Sequence, residues 1–335
     1  LGLRRITLKI LKNVEVPTGN ILVVEGQRGK LECLSIGDYG KDVNLKCDAL
    51  GLTKDIEKVI HTDMLPLTKK WVITISSQYG CSMKCNFCDV PKVGVGLNAN
   101  TGDLLGQVLA GMSLHPEITE SDRLNIHFAR MGEPTWNKDV LDAAKILKQM
   151  FDRDYHVHPV VSTMMPVGNF GLHDFLKEWV FIKNVIYGGN AGLQLSINST
   201  NEDERQEMFG GNALSLDSIS NLMKQLKPPV GRKYTLNFAV ADYDVNANLL
   251  AELFDPEHFI IKLTPMHKTT TAIENDIKTV GDYTTIAPYL ELEQSLKDVG
   301  FDVLVFIASA AEDLGRITCG NALLSGTLPF DQEEE

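Results

Sequence analysis

Three cysteines fall within eight residues of the stretch GCSMKCNFCDVPKVG: Cys81, Cys85 and Cys88, spaced C-x3-C-x2-C. Thiolates at that density are soft metal ligands. A structural zinc ion is closed by four protein ligands, commonly as two separated pairs. Here no fourth Cys or His stands close by, and the next histidine along the chain is His115. The other thiolate-held group is a [4Fe–4S] cluster, and three ligands leave one of its irons open. That position can chelate a small molecule through an amino and a carboxylate group. One electron passed into a sulfonium held there cleaves a C–S bond and releases a carbon radical. A zinc loop, or buried thiols without a metal, is the competing reading of the same residues.

Such a loop needs a rigid element to hold it. WVITISS (71–77) precedes it and reads as a buried-type strand. From Trp71 onward RLNIHFAR, HPVVSTMM, GLQLSINS, KYTLNFAV, HFIIKLTP and FDVLVFIA are strand-like. Between them TGDLLGQVLAGMSL (with Thr101 as the predicted N-cap), DVLDAAKILKQMF, LDSISNLMKQL and YLELEQSLKDVG carry apolar residues at helical spacing. The alternation predicts an α/β fold, a partial (β/α)6 barrel with its site at the C-terminal strand ends. Residues 1–70 differ: ITLKILKN, NILVVEGQ and GKLECLSIG are short segments split by PTGN and GDYGK, which predicts a small β-rich accessory region. The expected division is 1–70, then 71–324 as the barrel with a C-terminal cysteine loop, then an acidic tail over 325–335.

The chain of 335 residues is 44% hydrophobic and 23% charged, ordinary values for a globular enzyme. No stretch approaches the roughly 20 apolar residues of a membrane span, and LGLRRITLKILKN lacks the apolar core of a signal peptide. Net charge is −12, and still −8 without the four acids of the tail DQEEE. That balance argues against a broad grip on nucleic acid, which relies on Lys and Arg, so no DNA partner is expected. Arg4, Arg5, Lys9, Lys12, Lys69 and Lys70 form either a local basic patch or ordinary solvated charge. Half of the six cysteines lie in one short loop, which suits a metal in a reducing compartment rather than a disulfide framework. The expectation is a cytoplasmic protein.

With aromatic Phe87 before the last cysteine, the motif resembles the signature of radical S-adenosylmethionine (SAM) enzymes. SSQYGCSMKCNFC is further similar to the matching stretch of the RlmN/Cfr-type adenosine C-methyltransferases. Gly94, Asn98 and Gly106-Gln107-Val108 fall in register with that family, as do Met131-Gly132-Glu133-Pro134 with Asn137, and Ser162-Thr163. Ser196 opens SINSTNEDER, with Asn198 in place of the family's His, and Cys319-Gly320-Asn321 stands near the C-terminus. The resemblance runs from Trp71 to Leu324. It implies a [4Fe–4S] cluster on Cys81, Cys85 and Cys88, with Cys319 as the carrier of a methyl group. It implies SAM bound among Phe87, Gly132, Glu133, Pro134, Ser162, Ser196, Asn198 and Lys262, with Glu133 accepting the SAM amino group. It also implies an adenine-containing substrate, RNA or small molecule, and a reducing partner such as flavodoxin or ferredoxin.

Some positions depart from the family. Its second cysteine, which helps release product by deprotonation and disulfide formation, lies seven residues before Cys81; here that residue is Thr74. A hydroxyl cannot form a disulfide and is a far weaker acid than a thiol of pKa about 8.5. Either Cys33 or Cys47 folds over the site, or the intermediate is resolved differently, or the enzyme abstracts hydrogen directly from a small molecule or peptide. Lys262 replaces an Asn, and either pairs with the SAM carboxylate or a substrate phosphate or points outward. The β-rich N-terminal region stands where the ribosomal enzymes carry a helical RNA-binding domain. A zinc or RNA-binding module is the non-enzymatic alternative.

Overall fold

The computed structural model describes residues 7–38, 64–280, 285–308, 312 and 315–326. Three antiparallel strands, β1 (Lys9–Val16), β2 (Gly19–Gly26) and β3 (Gly29–Ile36), lead to β4 (Trp71–Ile75), with which β3 pairs antiparallel. A hairpin of β5 (Gln78–Gly80) and β6 (Val95–Asn98) then brackets the three cysteines. Beyond it come α1 (Thr101–Met112), β7 (Leu124–Phe128), α2 (Asp139–Tyr155), β8 (Val157–Thr163), α3 (Leu172–Phe181) and β9 (Gly192–Ser196). The chain continues through α4 (Glu202–Met208), α5 (Leu216–Met223), β10 (Tyr234–Val240), α6 (Ala247–Leu253) and β11 (Phe259–Pro265). It ends in α7 (Thr270–Glu274), α8 (Leu290–Asp298) and β12 (Asp302–Val305). The main sheet has the order β1-β2-β3-β4-β7-β8-β9-β10-β11-β12. Every pairing from β4 to β12 is parallel. The architecture is therefore mixed α/β, with strands joined through helices, and among the described residues no pairing of β12 closes the sheet. No helix among them is long and apolar enough to cross a membrane.

Parallel strands covered by helices on both faces usually read as continuous apolar runs. Here they alternate, as in LNIHF, GLQLS and TLNF. Ile126, Leu193, Leu195, Leu236, Ile261 and Leu263 are fully buried in the main core. Asn125, His127, Gln194, Ser196, Asn237 and Lys262 point the other way and line one cavity, together with Thr74 on β4 and Phe306 just past β12. Side chains from both ends of the parallel set meet there, so the sheet must curve around that space.

The N-terminal strands, expected as an accessory region, extend the same sheet. Leu22, Val24, Leu31 and Cys33 belong to the same core as Leu104 and Val108 of α1, and the Trp71 indole N–H donates to Ser35 Oγ at 3.0 Å. β3 thereby covers the edge that β4 would otherwise expose. The N-cap of α1 is Asn100 rather than Thr101. Asn100 Oδ1 accepts from Asp103 N–H at 2.8 Å in a reciprocal capping box, while Thr101 N–H is taken by Asp139 Oδ2 at 2.9 Å. Cys47, Arg4, Arg5 and most of the acidic tail lie outside the described residues.

Leu22→Ala should lower stability by about 2–5 kcal/mol in a single urea transition followed by tryptophan fluorescence. Two separate transitions would show instead that the meander folds as its own unit.

Candidate active site

Cys81 follows β5 directly, so the hairpin sets where it points. At Gly96, φ is +82°, and a Cβ there would lie 2.2 Å from Ser82 N; β6 lies flat against the cysteine loop only because this residue is glycine. Three buried amides then fix the loop. Gln78 Nε2 donates to Asn98 Oδ1 (2.8 Å), and its Oε1 accepts from Ser82 N–H (3.2 Å), Ser82 Oγ–H (3.0 Å) and Glu133 N–H (3.1 Å). Asn137 Nδ2 donates to Ser77 O (2.8 Å) and Ala99 O (2.7 Å). Gln107 of α1 brackets Ser76, accepting from its N–H (2.9 Å) and donating to its carbonyl (3.0 Å). Asn98, Gln107 and Asn137, picked out in the sequence by family register, thus act by holding this loop.

The loop sits in an apolar collar of Met83, Met164, Met208, Met266 and Phe209. Cys85 Sγ lies 3.9 Å from Met164 Sδ, and Phe87 meets Phe209 edge to face at 5.8 Å. Among the described residues no three His, Cys, Asp or Glu side chains are gathered as around a single metal ion. The thiols nevertheless feel one another. Burial, then the neighbouring thiols, raise Cys85 and Cys88 well above the ordinary value. Burial also raises Cys81 to about 11, with Glu133 and Cys319 adding to it. Thiols alone, in an apolar collar, are soft donors of the kind that iron–sulfur clusters take.

Cys319 reaches this loop from the other end of the chain. Asp89 N–H donates to Gly320 O at 2.9 Å and Thr269 Oγ–H to Phe87 O at 2.7 Å. The buried Asp89 carboxylate accepts from Thr271 N–H (2.8 Å) and Oγ–H (2.7 Å) at the start of α7. On the opposite side stands Glu32 of β3, fully buried. Its carboxylate accepts from Arg130 Nε–H (2.8 Å) and Nη2–H, from Leu323 N–H (3.0 Å) and from Leu324 N–H (2.8 Å). Arg130 donates onward to Thr318 O at 3.4 Å. One buried ion pair therefore grips the chain on both sides of Cys319. Inside that segment Asn321 accepts from Arg316 (2.9 Å) and donates to Thr318 Oγ (2.6 Å). The Cys319 thiol is exposed to the cavity. Surrounding protein raises its pKa, and the charges of Lys262 and Arg130 pull it back down.

The cavity has a volume of about 260 Å³ and brings Ser162, Ser196, Lys262 and Cys319 together with Thr74 and Arg130. Ser162 Oγ–H donates to Gln194 Oε1 at 3.3 Å, and Lys262 Nζ lies 4.9 Å from the Phe306 ring centroid. Other expected SAM contacts lie elsewhere. Asn198, at φ +64°, uses Oδ1 to accept from Ala239 N–H at 2.9 Å, so it caps the end of β10 instead of lining the cavity. The buried Glu133 carboxylate accepts from Thr135 N–H (3.1 Å) and Oγ–H (2.7 Å), from Met164 N–H (3.0 Å) and from Thr163. These fill a carboxylate's roughly four acceptor directions. Its side chain thus ties the turn after β7 to the end of β8. Gly132, at φ +98°, packs on Gln78, and Pro134 opens a 3-10 turn over Pro134–Trp136. Cys33 does not fold over the site: its Sγ lies 3.8 Å from Gln107 O, on the helix side of β3. Asn125, His127, Gln194 and Asn237 were not singled out in the sequence, although alternation within LNIHF, GLQLS and TLNF was their signal. Glu32 and Arg130 had no local signal at all.

Glu32→Gln should loosen the Cys319 segment. Peptide-mapped alkylation should show Cys319 reacting about tenfold faster, on loss of charged hydrogen bonds, while Cys33 stays protected. Unchanged Cys319 reactivity in a folded variant would remove Glu32 from this role. His127 is pushed down to about 3 by burial, then by Arg232 and Lys262. Unfolded His binds a proton below about 6.5 and the native residue does not, so stability is full above that pH and lost as pH falls towards 3. His127→Gln should recover up to about 2 kcal/mol of the loss between pH 7 and pH 5 in urea titrations.

No protein-family model matches the chain. A stretch of 210 residues, 61% of the chain, is 26% identical to the probable dual-specificity RNA methyltransferase RlmN of Pseudothermotoga lettingae, covering 57% of that protein. Over 219 residues it is 28% identical to the dual-specificity RNA methyltransferase RlmN of Pseudomonas entomophila, covering 55% of that protein. The matched stretch thus spans little more than half of these relatives. Among solved structures, a radical SAM methyltransferase from Sphaerobacter thermophilus superposes with a TM-score of 0.64 at 18% identity, over 94% of this chain and 80% of that one. The chain has a radical-SAM superfamily fold with distant similarity to the RlmN/Cfr-type methyltransferases.

Proposed function

We propose that this protein is a radical-SAM enzyme in which Cys81, Cys85 and Cys88 hold a [4Fe–4S] cluster beside a SAM site, and Cys319 carries a methyl group. The methyl is destined for an sp² carbon of an adenine-containing substrate. The observation that carries the reading is the Asp89 N–H to Gly320 O bond of 2.9 Å, which seats the Cys319 segment directly on the cysteine loop. When bound, the cluster supplies the electron that cleaves SAM to a 5′-deoxyadenosyl radical.

The chain's own residues have separable tasks. Gln78, Gln107 and Asn137 hold the cluster loop. Glu32 and Arg130 hold the Cys319 segment. Lys262 and Arg130 offset part of the burial that holds Cys319 as a thiol, and so ease formation of its nucleophilic thiolate. Ser162, Ser196, Gln194 and Asn237 offer hydrogen bonds to an adenine edge or to SAM. A pocket of about 260 Å³ is near the small-molecule end of ligand sites. With an acidic chain around it, that size favours a small substrate over ribosomal RNA.

Thr74 supports a second reading, in which hydrogen is taken directly from the substrate. It lines the cavity with Cys319 and cannot form a disulfide. Anaerobic reconstitution followed by SAM carrying a deuterated methyl group separates the two. Methyl transfer requires iron and sulfide at about four each per chain, label on Cys319 by peptide mapping, and label in product. An iron-loaded protein that cleaves SAM but never labels Cys319 leaves only direct abstraction. A colourless zinc protein ends both.

A further inference from the structure

Beneath the cavity, at the N-terminal ends of the strands, two arginines converge on the concave face from either side of β8. Arg123, just before β7, donates through Nε to Asn125 Oδ1 at 2.9 Å, and Asn125 is the register partner of His158 on β8. Arg232, just before β10, reaches back across β9. Its Nη1 would lie 3.3 Å from a Cβ on Gly192, whose partner on β8 is Val160, two residues beyond His158 on the same face. His158 thus sits between the two guanidiniums. None of the ion pairs among the described residues includes Arg123 or Arg232, and Asp38, the acid whose charge Arg123 feels, is itself paired with Lys70. His158 Nδ1 is buried there without a hydrogen-bond partner.

Two partly buried guanidiniums flanking one strand, which donate to the neutral acceptors Asn125 Oδ1 and, at 3.5 Å, Asn190 O, are left without charge compensation unless something negative joins them. Burial, then Arg123, pushes Arg232 down to about 10, and its field also reaches His127, which lines the cavity. The glycine at 192 leaves the strand bare where Arg232 crosses it. Gln194 and Ser196 follow at two-residue steps on the same face. From Gly192 to Ser196 the strand rises about 13 Å, the span of a nucleotide rather than of an oligonucleotide.

We propose that Arg123 and Arg232, with His158, form an anion site that takes the phosphate group of a small substrate whose reacting end faces Cys319. The anion site stands on this floor alone, and its link to Cys319 rests on the radical-SAM reading. Planar guanidiniums match a phosphate with paired N–H donors, and the unpartnered His158 Nδ1 of a neutral ring can accept the hydrogen of a phosphate hydroxyl.

The probe is inorganic pyrophosphate, titrated calorimetrically into the reconstituted protein at fixed ionic strength. Binding should be saturable and weakened at least about tenfold in Arg123→Gln and in Arg232→Gln, as expected for loss of a charged hydrogen bond. Arg232→Lys should lie between, and Lys30→Ala, exposed at the start of β3, should bind as wild type. If either Gln variant fails to fold, AMP against adenosine in the wild-type protein reads the same phosphate contribution, with AMP the tighter by a similar factor. No saturable pyrophosphate binding, or binding indifferent to both arginines, overturns the site. Pyrophosphate binding that depends on the arginines but is not competed by AMP keeps the anion site and overturns its link to an adenine nucleotide. None of these readouts needs turnover, so they stand apart from the test on Cys319.

Discussion

The Glu32 carboxylate is the point at which three distant parts of the chain are joined. It sits on β3, receives the guanidinium that follows β7, and binds two backbone amides near the C-terminus. A buried ion pair is stabilising only when its remaining lone pairs are satisfied, and removing one partner costs roughly 3–5 kcal/mol. Here the Leu323 and Leu324 amides satisfy them. The carboxylate therefore cannot be solvated by water without releasing the segment that carries Cys319. This gives the N-terminal meander a reason to be continuous with the main sheet: it supplies the anchor for the Cys319 segment as well as covering an open edge.

The second constraint is charge inside the concave face. The chain as a whole is acidic, yet Arg130, Lys262 and, from below, Arg123 and Arg232 direct positive potential into one curved surface. His127 remains neutral in that field, which also offsets part of the rise that burial imposes on the Cys319 thiol. Low-dielectric walls lengthen the reach of these charges.

What the sequence revealed depended on how local each signal was. The cysteine spacing, the Gly-Glu-Pro turn and the strand–helix alternation are all written within short windows. The loop and the order of the parallel strands followed from them. Asn100 was displaced by one residue as N-cap because Thr101 looks equally suited, and Asp139, 38 residues away, decides between them. Glu133 matches a family motif and Asn198 stands where the family has His, and the fold engages Asn198 with a backbone amide and Glu133 with backbone amides and threonine hydroxyls. Glu32 and Arg130 are 98 residues apart, and no window contains the pair. The polar concave residues were legible in principle, since every second residue of LNIHF and TLNF is polar. A buried parallel strand is expected to be apolar throughout, and that expectation hid them.

Glu32 and Cys33 are adjacent on β3, and the two-residue period of a strand sends them to opposite faces. Glu32 meets Arg130 and the Cys319 segment, whereas Cys33 is sealed beneath α1 with its thiol raised by burial. Bringing Cys33 round to meet Cys319 would require β3 to slip by one residue. The slip would also turn Leu31 to the wrong face and break the register that places Leu34 opposite Thr74. That rearrangement would undo the anchor that positions Cys319 in the first place. Cys33 therefore cannot serve as the missing redox partner while Cys319 is held, and Thr74, which lies within the cavity, has no sulfur to offer. On the proposed reading, a bond formed at Cys319 is therefore released without a disulfide to Cys33 or Thr74.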